Sequence, residues 1–72
     1  MYLVMELQTL ADGSVAMPPV NTFENWQEAE ARYHSILSVA AVSALPMHTA
    51  MIVTGDGMTV RSEHYEHGEA AT

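Results

Sequence analysis

Four histidines are the residues most able to do chemistry in this 72-residue sequence: His34, His48, His64 and His67. Imidazole is a common zinc ligand, and a zinc site needs three or four ligands about 2 Å from the ion. If residues 64–67 form a strand, His64 and His67 point to opposite faces, so only a bend or helical turn lets both reach one ion. All four are therefore candidate metal ligands, and the alternative is a set of surface and edge histidines that tune local hydrogen bonds.

Glu30 and His34 are four residues apart, a spacing that places them one above the other on a helix. A carboxylate beside an imidazole can serve as a general base. The sequence has no cysteine, and no serine lies in a nucleophile motif such as G-x-S-x-G. We therefore predict a chance helical pair, a protein that is not an enzyme, and no cofactor.

The elements that must position these residues begin with a predicted hairpin. Residues 2–10 alternate between two faces, as a strand does. Asp12-Gly13 predicts a tight turn, and residues 14–17 can return as a short second strand. Pro18-Pro19 ends that strand because proline cannot donate a ladder hydrogen bond, which predicts an edge position.

An amphipathic helix is predicted next, because apolar residues recur at spacings of three and four. Asn25 with Glu28 forms a capping-box pattern at its start, and Asn21 with Glu24 offers the same pattern earlier. Pro46 limits its far end. The predicted apolar stripe consists of Trp26, Ala29, Tyr33, Ile36 or Leu37, Ala40 and Ala44.

A second hairpin is predicted from residues 48–54 and 58–65, which flank the turn sequence Gly55-Asp56-Gly57. The expected fold is α+β, an antiparallel sheet of three to four strands in the chain order β-β-α-β-β, with one long amphipathic helix on one face. Residues 1–67 are expected to form a single domain, and residues 68–72 a frayed C-terminal tail.

Composition narrows the class of protein. Two basic residues stand against nine acidic ones, and the formal net charge is −7. This balance argues against nucleic-acid binding, which depends on Lys and Arg neutralising phosphates, and against an anionic membrane surface. No apolar run approaches the ~18–20 residues of a membrane span, and the first residues lack a signal-peptide pattern. We therefore expect a cytoplasmic protein.

The sequence carries more apolar surface than one helix can cover. Val39 and Val42 fall off the helical stripe, and Met51 and Val53 alternate with Ala50 and Ile52 in the predicted strand. Uncovered apolar patches mark interfaces, and a small cysteine-free domain gains stability from a partner. These four residues are our interface candidates, with a symmetric homodimer as the expected form. The alternative is that the loop around Pro18 and the termini cover them.

Residues 28–67 contain an ordered series of short motifs: an acidic helix start, Tyr33-His34 followed by Ile36-Leu37, an Ala-rich end, His48-Thr49-Ala50, and a final Glu63-His64-Tyr65. This pattern, which covers a little over half the chain, resembles a group of small bacterial and prophage proteins of unknown function. The resemblance implies a complete small protein and makes Tyr33, His34, His48 and Tyr65 candidates for packing or for a site.

Three functional hypotheses follow. The first is a non-enzymatic homodimeric interaction or accessory protein, phage-derived on the resemblance, with an unidentified protein as a further partner. The second is a small metal-binding protein or enzyme that uses histidine and glutamate, including Glu66. The third is an acidic mimic of DNA that inhibits a nuclease, for which only Glu24, Glu28 and Glu30 are clustered.

Overall fold

The computed structural model describes residues 1–67, which form one helix packed on one face of a five-stranded antiparallel sheet. The predicted frayed tail, residues 68–72, lies outside the described residues. In chain order the elements are β1 (Tyr2–Thr9), β2 (Val15–Ala16), β3 (Asn21–Phe23), α1 (Trp26–Ala41), β4 (Met47–Thr54) and β5 (Thr59–Glu66). The α+β class and the single helix are confirmed.

The strand count exceeds the predicted three to four because of β3, which the sequence patterns do not predict. β3 is three residues long and pairs with the start of β1, whereas β2 pairs with its end. Since β4 pairs with one edge of β1 along its full length, β2 and β3 both pair with the other edge of β1. The resulting order is β2-β1-β4-β5, with β3 beside β1.

The structure decides between the two predicted helix starts. Asn25 is the N-cap, and its side chain accepts a hydrogen bond from the Glu28 backbone N–H at 2.8 Å. Asn21 lies instead in β3, where its side-chain oxygen accepts from Arg32 Nε at 2.9 Å. The helix ends at Ala41, so Ala44 of the predicted stripe lies beyond it. α1 is not long and apolar enough to cross a membrane.

The hydrophobic core lies between α1 and the two central strands. Small residues of the helix let it approach the sheet closely, and Tyr33 fills the largest share of the space. The buried apolar residues are Val4, Ala29, Tyr33, Ile36, Ala40, Ala50 and Ile52. His48 is the one polar residue among residues 1–67 that is buried with them.

The predicted second hairpin is present and carries one irregularity. Gly57 adopts φ +98°, a left-handed conformation that favours glycine, and its N–H donates to Thr54 O at 2.9 Å. A β-bulge follows Ile52, where the register with β5 shifts. Bulges bend an edge strand and discourage its pairing with other chains.

Candidate functional site

The two central strands present an apolar surface on the side of the sheet opposite α1. Strand alternation puts Val4, His48, Ala50 and Ile52 beneath the helix, so the residues between them face away. We call this surface the open face, and it consists of Leu3, Met5, Leu7, Thr9, Met47, Thr49, Met51 and Val53. None of these residues carries a charge, and each is half-buried.

The open face is organised in cross-strand pairs. Leu3 lies opposite Val53, and Met5 lies opposite Met51. Apolar side chains on directly opposed positions contact each other, which explains why they are half-buried without any covering layer. Within residues 1–67 no helix or strand packs across this face, because α1 occupies the other side and β2 and β3 pair edge-on.

The open face has a polar margin on β5. Ser62 lies opposite Met51, His64 opposite Thr49, and Glu66 opposite Met47. His64 Nε2 is 3.2 Å from Glu66 Oε2, so this margin carries its own ion pair when the histidine is protonated. An apolar centre with a polar rim is the usual anatomy of a protein–protein interface.

The four predicted interface residues belong to two separate surfaces. Met51 and Val53 lie in the open face. Val39 and Val42 lie on and just after α1, where 55% and 84% of their surface is exposed. Because the helix covers the opposite side of the sheet, one contact surface cannot easily include all four.

The four candidate metal ligands are not brought together. His34 is exposed on α1, with Nε2 3.9 Å from Glu30 Oε2, and His48 is buried beneath the helix. His64 points to the opposite side of the sheet, and His67 Nε2 donates to Ala40 O at 2.8 Å. Among residues 1–67 no group of three or more metal-ligating side chains is placed to hold an ion.

His48 instead makes a buried contact with Glu6 that the sequence does not predict. Its Nε2 lies 2.5 Å from Glu6 Oε2, and Gln8 Nε2 donates to the same oxygen at 3.0 Å. Since a carboxylate only accepts, Nε2 must carry the proton. His48 Nδ1 is buried and has no hydrogen-bond partner within the described part of the chain.

Two opposing effects act on the pKa of the Glu6 carboxyl. Burial raises its pKa, but hydrogen bonds from Gln8 and His48 stabilise the carboxylate and leave the pKa below its usual value. The pair is a poor general base, because Glu6 occupies Nε2 and the protein interior encloses Nδ1. We therefore assign it a structural role that ties β1 to β4.

A second polar cluster ties α1 to β5. The Tyr33 hydroxyl donates to Glu63 Oε1 at 2.7 Å, and Arg61 donates to Glu30 Oε2 at 3.0 Å. The Arg61 guanidinium also lies over the rings of Trp26 and Tyr33, 5.7 and 5.6 Å from their centroids. Burial and the Glu63 carboxylate raise the pKa of Tyr33 well above its usual value.

The Glu30 carboxylate therefore lies closer to Arg61, at 3.0 Å, than to His34, at 3.9 Å.

Comparisons with protein-family models, curated proteins and solved structures find no match to this chain. The contrast between the polar contacts beneath the helix and the uncharged open face is thus the main basis for assigning a function.

Proposed function

We propose that this chain is a non-enzymatic interaction or accessory protein that forms a homodimer through its open face. The observation that supports this most directly is the absence of charge from all the residues of that face, in a chain with a formal net charge of −7. The resemblance to small bacterial and prophage proteins favours an accessory role, and the cytoplasm remains the expected compartment.

Charge favours this face over the others for contact between identical copies. Two copies of a strongly acidic chain repel each other wherever their carboxylates approach. Glu6, the single acidic residue of the two central strands, points beneath the helix and is engaged by His48. Two open faces can therefore meet without carboxylates at the centre of the contact, and a two-fold axis would pair the same residues from each copy.

The size of the sheet also suits a second copy. Three strands of eight residues, each about 26 Å long and spaced about 4.8 Å apart, together with the short β2 and β3 beside β1, give a footprint of roughly 450 Å². A standard interface buries about 800 Å² per partner, so the open face and its rim supply most of one. A domain of this length is marginally stable alone, so burial of these half-exposed residues would also stabilise the fold.

The test is the solution mass of the full chain by sedimentation equilibrium, in chelator, from low to high micromolar concentration. We expect a dimer for the wild type. Met51→Glu should dissociate it, because it places a carboxylate at the centre of the contact. Val42→Glu makes the same change at an exposed position on the helix side and should leave the mass unchanged.

Circular dichroism separates dissociation from unfolding, and Val53→Glu provides a second variant of the same face. A wild type that stays monomeric at several hundred micromolar contradicts the proposal, as does a dimer broken by Val42→Glu alone. A folded monomer would leave a different protein as the occupant of the open face. The metal-binding alternative has less support, since residues 1–67 bring no three ligands together, and a mass that changes only with added zinc would favour it.

A further inference from the structure

Two methionines form the centre of the open face. Met5 and Met51 are direct cross-strand partners, with Leu3 and Val53 on one side of them and Leu7 and Thr49 on the other. Both are half-buried in the single chain, so part of each side chain is accessible to small solutes. The remaining methionine of this face, Met47, lies at its end opposite Thr9.

A thioether at this position is chemically different from leucine in one respect, its reaction with peroxides. A sulfur lone pair attacks one peroxide oxygen, the O–O bond breaks, and methionine sulfoxide forms. The second oxygen leaves as water after proton transfer when the oxidant is hydrogen peroxide. The product is polar and a strong hydrogen-bond acceptor, so it is costly to bury against an apolar surface.

We propose that Met5 and Met51 are an oxidation site that controls self-association of this protein; this inference rests on the homodimer proposed above. The free chain exposes both side chains on its open face, whereas the dimer covers them. Peroxide therefore reacts with the free chain, and each sulfoxide formed at the centre of the face prevents the apolar contact. Methionine sulfoxide reductases, with a dithiol as the reductant, return each sulfoxide to the thioether and restore the contact; the oxygen leaves as water and the dithiol becomes a disulfide.

The chain contains a methionine that serves as an internal control. Met58 is 65% exposed and lies in the turn between β4 and β5, away from the centre of the open face. It should be oxidised at least as fast as Met5 and Met51, but its sulfoxide stays in water whether or not the chains associate. Oxidation at Met58 alone is thus expected to leave the dimer intact.

The experiment treats the full chain with hydrogen peroxide, locates sulfoxides by peptide mass spectrometry, and measures the dimer dissociation constant by sedimentation equilibrium. We expect sulfoxide at Met5 and Met51 to raise the dissociation constant by about tenfold or more. Treatment with methionine sulfoxide reductases should reverse the change. In a double variant, Met5→Leu with Met51→Leu, similar side-chain volumes should preserve the dimer and remove most of its response to peroxide.

Met58→Leu is the matched variant and should respond to peroxide as the wild type does. The inference is overturned if the wild type dimerises but its dissociation constant is unchanged with both sulfoxides present, or if the double leucine variant remains equally sensitive. In those cases the homodimer proposal stands. An untreated wild type that never associates overturns the homodimer and this inference together.

Discussion

The two faces of the sheet differ in where they carry charged side chains. In most antiparallel sheets the covered face is apolar and the solvent-facing one is polar, and here the charges of the two central strands lie on the covered face. The face that α1 covers contains Glu6, His48, Arg61 and Glu63, while the central strands of the face left open carry no charge. Glu6, Arg61 and Glu63 each have a hydrogen-bond partner that compensates for their partial burial, whereas His48 is paired through Nε2 and its Nδ1 has no partner within residues 1–67. The apolar side chains of the open face need no such compensation, because they only lose water when something covers them.

This difference suggests that the two faces meet different requirements. Directional hydrogen bonds specify where the helix sits, because Tyr33 must reach Glu63 and Arg61 must reach Glu30. Apolar contacts on the open face do not depend on direction, and the face is rich in methionine, whose flexible side chain adapts to an opposing surface. The covered face thus defines the fold, and the open face is suited to association.

The largest expected effect on the free energy of unfolding comes from truncating two adjacent residues of β4, one on each face of the sheet. Ile52 is fully buried under α1, and Val53, the next residue, lies on the open face. Ile52→Ala should lower the free energy of unfolding by about 2–5 kcal/mol, whereas Val53→Ala should cost less than about 1 kcal/mol in the monomer. Urea denaturation at submicromolar concentration, where association is weak, measures both.

Ile52→Val, expected to cost about 0.5–1.5 kcal/mol, keeps this comparison measurable if Ile52→Ala does not fold. Equal losses for the Ile52 and Val53 variants would show that something covers the open face within the single chain. A loss at Val53 that grows with protein concentration would support association through that face instead.

The next largest expected effect on stability concerns the Tyr33 hydroxyl, which joins α1 to β5. Tyr33→Phe removes the hydrogen bond to Glu63 and should cost about 1.5–3 kcal/mol, the range for a bond to a charged group. Tyr65→Phe is the control, since Tyr65 is 43% exposed, and should change stability by less than about 0.5 kcal/mol. Thermal or urea unfolding at pH 7 tests both variants.

The same tyrosine predicts a loss of stability in alkali. Because its pKa is raised in the folded protein, Tyr33 keeps its proton while the unfolded chain begins to lose it near pH 10. The stabilisation is therefore complete below pH 10 and declines above it. In the folded protein, tyrosinate absorbance at 295 nm between pH 10 and 11 should be equal in wild type and Tyr33→Phe, and a smaller signal in the variant would contradict the shift.

Local patterns in the sequence predict most of the fold. Alternation predicts β1 and β5, a run rich in β-branched residues predicts β4, Asn25 is one of two capping residues that predict the start of α1, and the spacing of Tyr33 and Ile36 predicts which side of the helix is buried. These signals act over a few residues, so no tertiary information is needed to use them. The sequence does not predict β3, because three residues are too few to show alternation.

Which residues meet across the sheet was beyond prediction from one sequence. Glu6 and His48 are 42 residues apart and touch because the register sets Gln8 opposite His48 and Ala50 opposite Glu6. A shift of one residue would place His48 on the open face. The alternating Leu3, Met5 and Leu7 were visible in the sequence, but nothing local indicated that the helix would cover the other, more polar face.

The smallest expected effect is the response of the Glu6–His48 contact to acid. The pKa of Glu6 is lowered on folding, so the carboxylate stabilises the fold above its ordinary pKa, and this contribution is lost as pH falls through the lowered value. Glu6→Gln removes the titrating group while keeping the shape of the side chain. The variant should be less stable than the wild type at pH 7, and the difference should shrink as pH falls below about 4.5.

Glu24→Gln changes an exposed carboxylate at the loop before α1 and serves as the control. Urea unfolding from pH 7 to pH 3 provides the measurement, and a Glu6→Gln difference independent of pH would show that Glu6 contributes by packing rather than by charge.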